Sequence, residues 1–243
     1  DHSNTFNIST AVALVAAAAG VPVAKHGNRG VSSRSGSANV LAELGVQIEA
    51  PLPVVEACLD ELGICFCFAP LWHPSMYRVA AVRKKLGIRT IFNLLGPLCN
   101  PAKAPFQLLG VGDPVLRPLL AEALKQLGTR RALVVCGDDG LDEFTLADRT
   151  SVSEVSTDPI RESSWAPEDF GLDQTPLETL RVDSPSASAA IIEGILRGDP
   201  GPPRDIVVLN TAAALLVVGQ AEVPSTAAAM AAVPRVPIDE LAA

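Results

Sequence analysis

Three cations, four hydroxyls and three glycines, with no carboxylate among them, fall in the run Lys25-His-Gly-Asn-Arg-Gly-Val-Ser-Ser-Arg-Ser-Gly-Ser37. Lys25, Arg29 and Arg34 supply charge, and the serines supply short donors. Gly27, Gly30 and Gly36 let the backbone approach an anion closely. Such a run can cradle phosphate. The plainer alternative is a solvated flexible loop, but a linker does not normally stand between a buried strand and a well-capped helix with His26 and Asn28 interleaved.

Two further segments carry chemistry that fits an anion. Asn7-Ile-Ser-Thr10 opens a small-residue helix, where unpaired N–H groups and partial positive charge can hold a phosphate; ordinary capping explains the same residues. Asp138-Asp-Gly-Leu-Asp142-Glu143 follows an apolar strand, at the edge where ligands bind in open α/β sheets. Magnesium suits this cluster better than zinc or calcium, because there is no His or Cys ligand set and no EF-hand spacing. A solvated acidic turn is the alternative, most of all for Asp138-Asp-Gly140.

Phe68-Ala-Pro-Leu-Trp-His-Pro-Ser75 leads into a stretch bearing Arg78, Arg83, Lys84 and Lys85, which Asn93-Leu-Leu-Gly-Pro-Leu-Cys-Asn-Pro101 closes. Proline and glycine at both ends suggest hinges, and residues 70–101 read as a hinge and substrate segment. Arg83 has the fork geometry to pair with a substrate carboxylate, although a helix arginine more often pairs at the surface.

The elements that must position these groups alternate along the chain. A helix over Thr10 to Ala19, capped by Ser9 or Asn7 and stopped by Gly20, precedes a strand over Val21 to Ala24. Helices over Ser37 to Leu44 and Pro53 to Leu62 end at Gly45 and Gly63, before a strand over Ile64 to Ala69. Further strands fit Arg89 to Asn93, Gln107 to Val111 and Arg131 to Cys136, the last two joined by a helix over Pro114 to Leu127 capped by Asp113. This order predicts an α/β fold with a largely parallel central sheet flanked by helices, as one domain over 1–243. Thr150 to Ser156 adds an edge or antiparallel strand, and Thr157 to Val182 reads as irregular surface. Helices over Ser184 to Arg197 and Arg204 to Val218 follow, and Pro224, Pro234 and Pro237 forbid one continuous helix after Val223.

Composition narrows the function classes. A net charge of -8 argues against general affinity for nucleic acid or anionic membrane, while 48% hydrophobic residues in a chain of 243 can bury a substantial core. Five cysteines without a Cys-x-x-Cys pair point to a reducing, cytoplasmic setting. Ile206 to Val218, interrupted by Asn210 and Thr211, falls short of the ~20 apolar residues of a membrane span. A soluble protein is expected.

Taken in order, these segments resemble the anthranilate phosphoribosyltransferase family. The resemblance rests on Asn7-Ile-Ser-Thr10, Lys25-His-Gly-Asn-Arg29, Ser32-Ser-Arg-Ser-Gly-Ser37, Phe68-Ala-Pro70 with His73-Pro74 and Val82-Arg83. It continues through Gly87-Ile-Arg-Thr-Ile-Phe-Asn-Leu-Leu-Gly-Pro97, Asn100-Pro101, Asp139-Gly-Leu-Asp-Glu143 and Gly201-Pro-Pro-Arg-Asp205. The family's glycine-rich diphosphate loop ends at the aspartate matching Asp1. Its glycines and the small amino-terminal helical domain are therefore expected to be mostly absent here.

That resemblance implies transfer of a phosphoribosyl group from phosphoribosyl pyrophosphate to anthranilate, in tryptophan biosynthesis. By implication, phosphoribosyl pyrophosphate is held by Asp1, Thr5, Asn7, Ile8, Ser9, Thr10 and Ser37 together with the loop Lys25, His26, Gly27, Asn28, Arg29, Gly30, Val31, Ser32 and Ser33. Ser9, Asp142 and Glu143 would bind two Mg2+ ions, and Asn28 and Arg83 would contact anthranilate. Lys25, His26 and Arg83 are the implied catalytic groups, and a homodimer the implied assembly. A related phosphoribosyltransferase or nucleoside phosphorylase using another base, and a phosphate-binding or assembly protein without activity, are the rival expectations.

Overall fold

A computed structural model describes residues 3–30, 35–75, 85 and 91–232. Of the residues singled out above, Asp1, Val31, Ser32, Ser33, Arg34, Arg78, Val82, Arg83, Lys84, Arg89, Pro234 and Pro237 lie outside the described residues.

The α/β class is observed, with the first half arranged around a parallel strand pair. Helix α1 (Ile8–Ala18) feeds β1 (Val23–Gly27), which leads into α2 (Ser37–Glu43) and α3 (Leu52–Leu62) before β2 (Ile64–Phe68) and the single turn α4 (Ala69–Trp72). Strands β1 and β2 run parallel, with Lys25 opposite Phe66 and His26 opposite Cys67. Gly63, at φ 72°, closes α3 in the left-handed conformation that glycine adopts without strain.

The second half holds a four-stranded sheet in the order β3-β4-β5-β6. After α5 (Phe92–Leu98) come β3 (Phe106–Gly110), α6 (Leu116–Gln126), β4 (Arg131–Gly137), β5 (Thr150–Val155) and β6 (Arg161–Trp165). Strands β3 and β4 are parallel, and β5 and β6 are antiparallel to their neighbours. In place of the one largely parallel sheet expected, the described strands thus form a parallel pair and a mixed sheet. Within the mixed sheet only β3 and β4 are joined by a helical crossover; the connection from β4 to β5 holds no helix, and the chain turns back to pair antiparallel.

β4 shows why a continuous apolar run became a strand. Leu133 and Val135 face the main core, whereas Ala132 and Val134 face a second cluster formed with Leu120, Ala121 and Leu124 of α6. Both faces are covered, so alternation of polar residues is not required. The main core is centred on α8 (Pro202–Val218), which with α7 (Pro185–Arg197) and α9 (Pro224–Ala231) completes the described helices. No single described helix is long and apolar enough to cross a membrane.

Two expectations are corrected. Arg89 to Asn93 was expected as a strand, yet the described part turns helical at Ile91 and continues as α5. Leu94 and Leu98, one turn apart, pack against the α6 cluster, and this contact overrides the β-propensity of Ile and Phe. Thr157 to Val182 was expected to be irregular but contains β6. Its Arg-Glu-Ser-Ser sequence is a poor strand former by itself, and pairing decides the outcome: Arg161 bridges Glu154, while Ser153 donates to Glu162 at 2.7 Å. β5 is therefore an interior strand and β6 the edge.

Candidate active site

The site begins at the amino terminus of α1. Asn7 caps the helix by accepting from the Thr10 N–H at 3.0 Å, and its amide donates to the Ser35 carbonyl at 2.6 Å. One residue therefore ties the helix start to the end of the glycine-serine run. Ser35 reciprocates by donating to the Thr5 carbonyl at 2.9 Å. Ile8 is buried in the core and can present only main chain to a ligand. Thr10 is buried as well, and its hydroxyl has no hydrogen-bond partner among the described residues.

Lys25, in the middle of β1, extends its ammonium to the exposed Ser9 hydroxyl, donating at 3.0 Å. It also feels the charge of Glu143, more than a hundred residues away in sequence. Burial pushes Lys25 down to about 8, with Glu143 acting the other way. Burial, then the charge of Asp142, pushes Glu143 up to about 8, with Lys25 opposing. Asp142 and Glu143 are both half-buried. The fold thus brings Ser9, Lys25 and Glu143 together.

The described residues of the loop beyond His26 are held by the loop's own backbone and by α2. The Asn28 carbonyl accepts from the Ala38 N–H at 3.2 Å and from the Ser37 hydroxyl at 3.4 Å, while Asn39 accepts from the Gly30 N–H at 3.0 Å. Gly36 lies so close to Gly30 that a Cβ there would meet its nitrogen. Arg29 pairs with Glu49 at 3.1 Å and sits over the Phe68 ring at 5.7 Å.

His26 meets His73 of the segment after α4 at 3.1 Å, Nε2 to Nε2, and bonds the backbone of Gly96 in α5. Asn100 donates to the Ala24 carbonyl at 2.9 Å. Both ends of the 70–101 segment are therefore fastened to β1. His73 and Asn100 stood in quoted motifs, but no sequence signal gave their partners.

The four acidic residues divide by task. Asp139 accepts from the Thr145 hydroxyl at 2.7 Å and the Leu141 N–H at 3.1 Å, and Asp138 accepts from the Ser151 hydroxyl at 3.1 Å. These two build the turn. Asp142 and Glu143 stand beside each other within reach of the Lys25 charge, and their carboxylates are hard oxygen donors that suit a divalent metal also bound to phosphate and water. Among the described residues no group of three or more His, Cys, Asp or Glu side chains could hold a metal by itself.

A family model described as glycosyl transferase family, a/b domain, matches residues 1–234. Anthranilate phosphoribosyltransferase of Xylella fastidiosa is 52% identical over 223 residues, which are 91% of this chain and 64% of the relative. The chain therefore spans less than two thirds of that relative's length. Among solved structures, anthranilate phosphoribosyltransferase from Thermus thermophilus is 44% identical with a TM-score of 0.91, over 98% of this chain and 71% of that one. The Saccharomyces cerevisiae anthranilate phosphoribosyltransferase in complex with PRPP and Mg is 28% identical with a TM-score of 0.86, over 98% of this chain and 68% of that one.

Proposed function

This chain belongs to the glycosyl transferase family with the a/b domain, beside the anthranilate phosphoribosyltransferases, and we propose that it serves their reaction. The phosphoribosyl group of phosphoribosyl pyrophosphate passes to the amine of anthranilate, giving N-(5-phosphoribosyl)anthranilate and pyrophosphate in tryptophan biosynthesis. The observation that carries this reading is the Ser9–Lys25–Glu143 cluster, which joins a phosphate-type loop to an acidic pair. The Saccharomyces complex with PRPP and Mg supports the choice of substrate and metal.

In this reading Asp1, Thr5, Asn7, Ile8, Ser9, Thr10, the loop from Lys25 to Ser33 and Ser37 receive phosphoribosyl pyrophosphate. The unmatched Thr10 hydroxyl is one donor a phosphate oxygen would satisfy. Ser9, Asp142 and Glu143 would hold Mg2+, two ions by family likeness, and bound there it would offset charge on the departing pyrophosphate. The adjacent half-buried carboxylates fit such an ion, since burial and the charge of Asp142 disfavour ionisation of Glu143 until a cation compensates.

Lys25 supplies a fixed positive charge on the diphosphate side. The C1–oxygen bond breaks with its electron pair going to pyrophosphate, the amine lone pair forms the new C–N bond, and the amine then releases a proton. An aromatic amine is already a free nucleophile at neutral pH, so orientation matters more than a strong base. Asn28 and Arg83 orient anthranilate, with Arg83 on its carboxylate and His26 close by. Residues 70–101 act as the hinge and substrate segment, and the assembly is a homodimer in the cytoplasm.

Loss of anthranilate fluorescence on mixing the protein with phosphoribosyl pyrophosphate and Mg2+ tests the proposal, with each component omitted in turn. Turnover requiring all three is expected. A folded sample that binds phosphate without turnover would favour a non-catalytic phosphate-binding role. Arg83→Ala is expected to raise KM for anthranilate about tenfold or more while leaving that for phosphoribosyl pyrophosphate nearly unchanged. Equal effects on both would remove Arg83 from the anthranilate site.

A further inference from the structure

The peptide units on both sides of Glu143 are fixed by residues outside the phosphate loop and the acidic cluster. On one side stands Gly110, the last residue of β3. A Cβ built on Gly110 would coincide with the Asp142 carbonyl oxygen and lie 3.3 Å from the Glu143 nitrogen. Glycine is required here for space, because the backbone of the acidic pair rests directly on that of the strand.

On the other side stands Asn210, fully buried in the middle of α8. Its Oδ1 accepts from the Phe144 N–H at 2.9 Å, and its Nδ2 donates to the Phe144 carbonyl at 2.9 Å and the Ile206 carbonyl at 3.0 Å. All three partners are main-chain groups, so the orientation of the amide is determined by chemistry. The grip on Phe144 supplies the paired donor and acceptor that a neighbouring strand would give. The Phe144 ring is itself packed against Trp165 and Phe170, at 5.6 and 5.8 Å between centroids.

An amide in the core of an apolar helix is costly unless it is satisfied, and here the two bonds to Phe144 also set the residue next to Glu143. We infer that Gly110 and Asn210 are positioning residues for the Asp142–Glu143 pair, holding its backbone so that both carboxylates meet one metal-phosphate site. The inference rests on the metal reading above. The two residues act at a distance from the metal, as supporting groups do when they orient ligands.

Binding of Mn2+ in the presence of inorganic pyrophosphate, followed by electron paramagnetic resonance, provides a readout independent of turnover. The comparison takes the unaltered protein, Asp142→Asn/Glu143→Gln, Gly110→Ala, Asn210→Ala and, as a core control on the same helix, Leu215→Val. The double variant is expected to lose the pyrophosphate-dependent Mn2+ site. Gly110→Ala and Asn210→Ala, measured well below their melting midpoints, are expected to weaken it by about 10- to 100-fold. Leu215→Val is expected to lower the melting midpoint and leave Mn2+ affinity unchanged.

Unaltered Mn2+ affinity in the double variant would overturn the metal reading itself. Loss in the double variant with full affinity in folded Gly110→Ala and Asn210→Ala would overturn the positioning role alone. If only one of the two variants folds, that one decides. Failure of both to fold would assign the residues to the fold and overturn the inference as well.

Discussion

His26 of β1 and His73 beyond α4 meet edge to face, with ring centroids 5.0 Å apart, planes at 76° and Nε2 atoms separated by 3.1 Å. One ring must donate and the other accept, which only works while the pair shares no second proton. Burial first, and then the charge of His73, hold His26 below its ordinary value of 6.5, with the Gly96 backbone opposing.

The sign follows from linkage. A histidine with a depressed folded pKa takes up protons more readily when unfolded, so its contribution to stability is present above about 6.5 and is lost as pH falls through the folded value. The melting midpoint is expected to drop between about pH 7 and pH 5, and His26→Gln is expected to flatten that profile. A profile unchanged by His26→Gln would show that the pair does not govern acid sensitivity.

Asp142→Asn/Glu143→Gln is expected to lower kcat/KM by about 100-fold or more, as removal of groups that hold charge-stabilising metal does. The melting midpoint should hold or rise, because burial and the neighbouring charge already disfavour the Glu143 carboxylate. Steady-state kinetics across a Mg2+ series, with a thermal melt of the same samples, checks both parts.

Gly27 ends β1, where a Cβ would overlap the Ser37 hydroxyl and come within 2.9 Å of the Phe66 ring. Gly27→Ala must push Ser37 aside. The expected result is a rise of about tenfold in KM for phosphoribosyl pyrophosphate, about one charge-assisted hydrogen bond, with little change for anthranilate. Substrate-specific KM values decide it.

Arg117 on α6 donates to Ser153 of β5 and to Glu162 of β6, and its side chain is only 14% exposed. Arg117→Met keeps the apolar stem and removes the charge, at an expected cost of about 1–2 kcal/mol. That corresponds to a melting midpoint lower by roughly 2–8 °C for a domain of this size. Catalytic constants should not change, since Arg117, Ser153 and Glu162 are not among the residues of the proposed site.

The helices with clear punctuation were legible as written. Asn7, Gly20, Gly63 and Ser184 stand where chain ends need a cap or a left-handed turn, and these are local demands that a few neighbouring residues satisfy. The make-up of the Lys25 run is likewise plain in the residues themselves, and the proposal of anion chemistry starts from it. By contrast, β6 and the helical start at Ile91 depended on what packs against them, so propensity misplaced both.

The sequence by itself determined where the punctuated helices fall and which segments carry cations, hydroxyls and carboxylates. Only the tertiary structure decided that Lys25 bonds Ser9 and feels the charge of Glu143, that Asp138 and Asp139 are occupied by the turn, and that Asn210 grips Phe144. The physical reason is range: capping and turn preferences act within a few residues, whereas hydrogen bonds and charges joining residues many tens apart exist only after the core has brought α1, β1, β4 and α8 together.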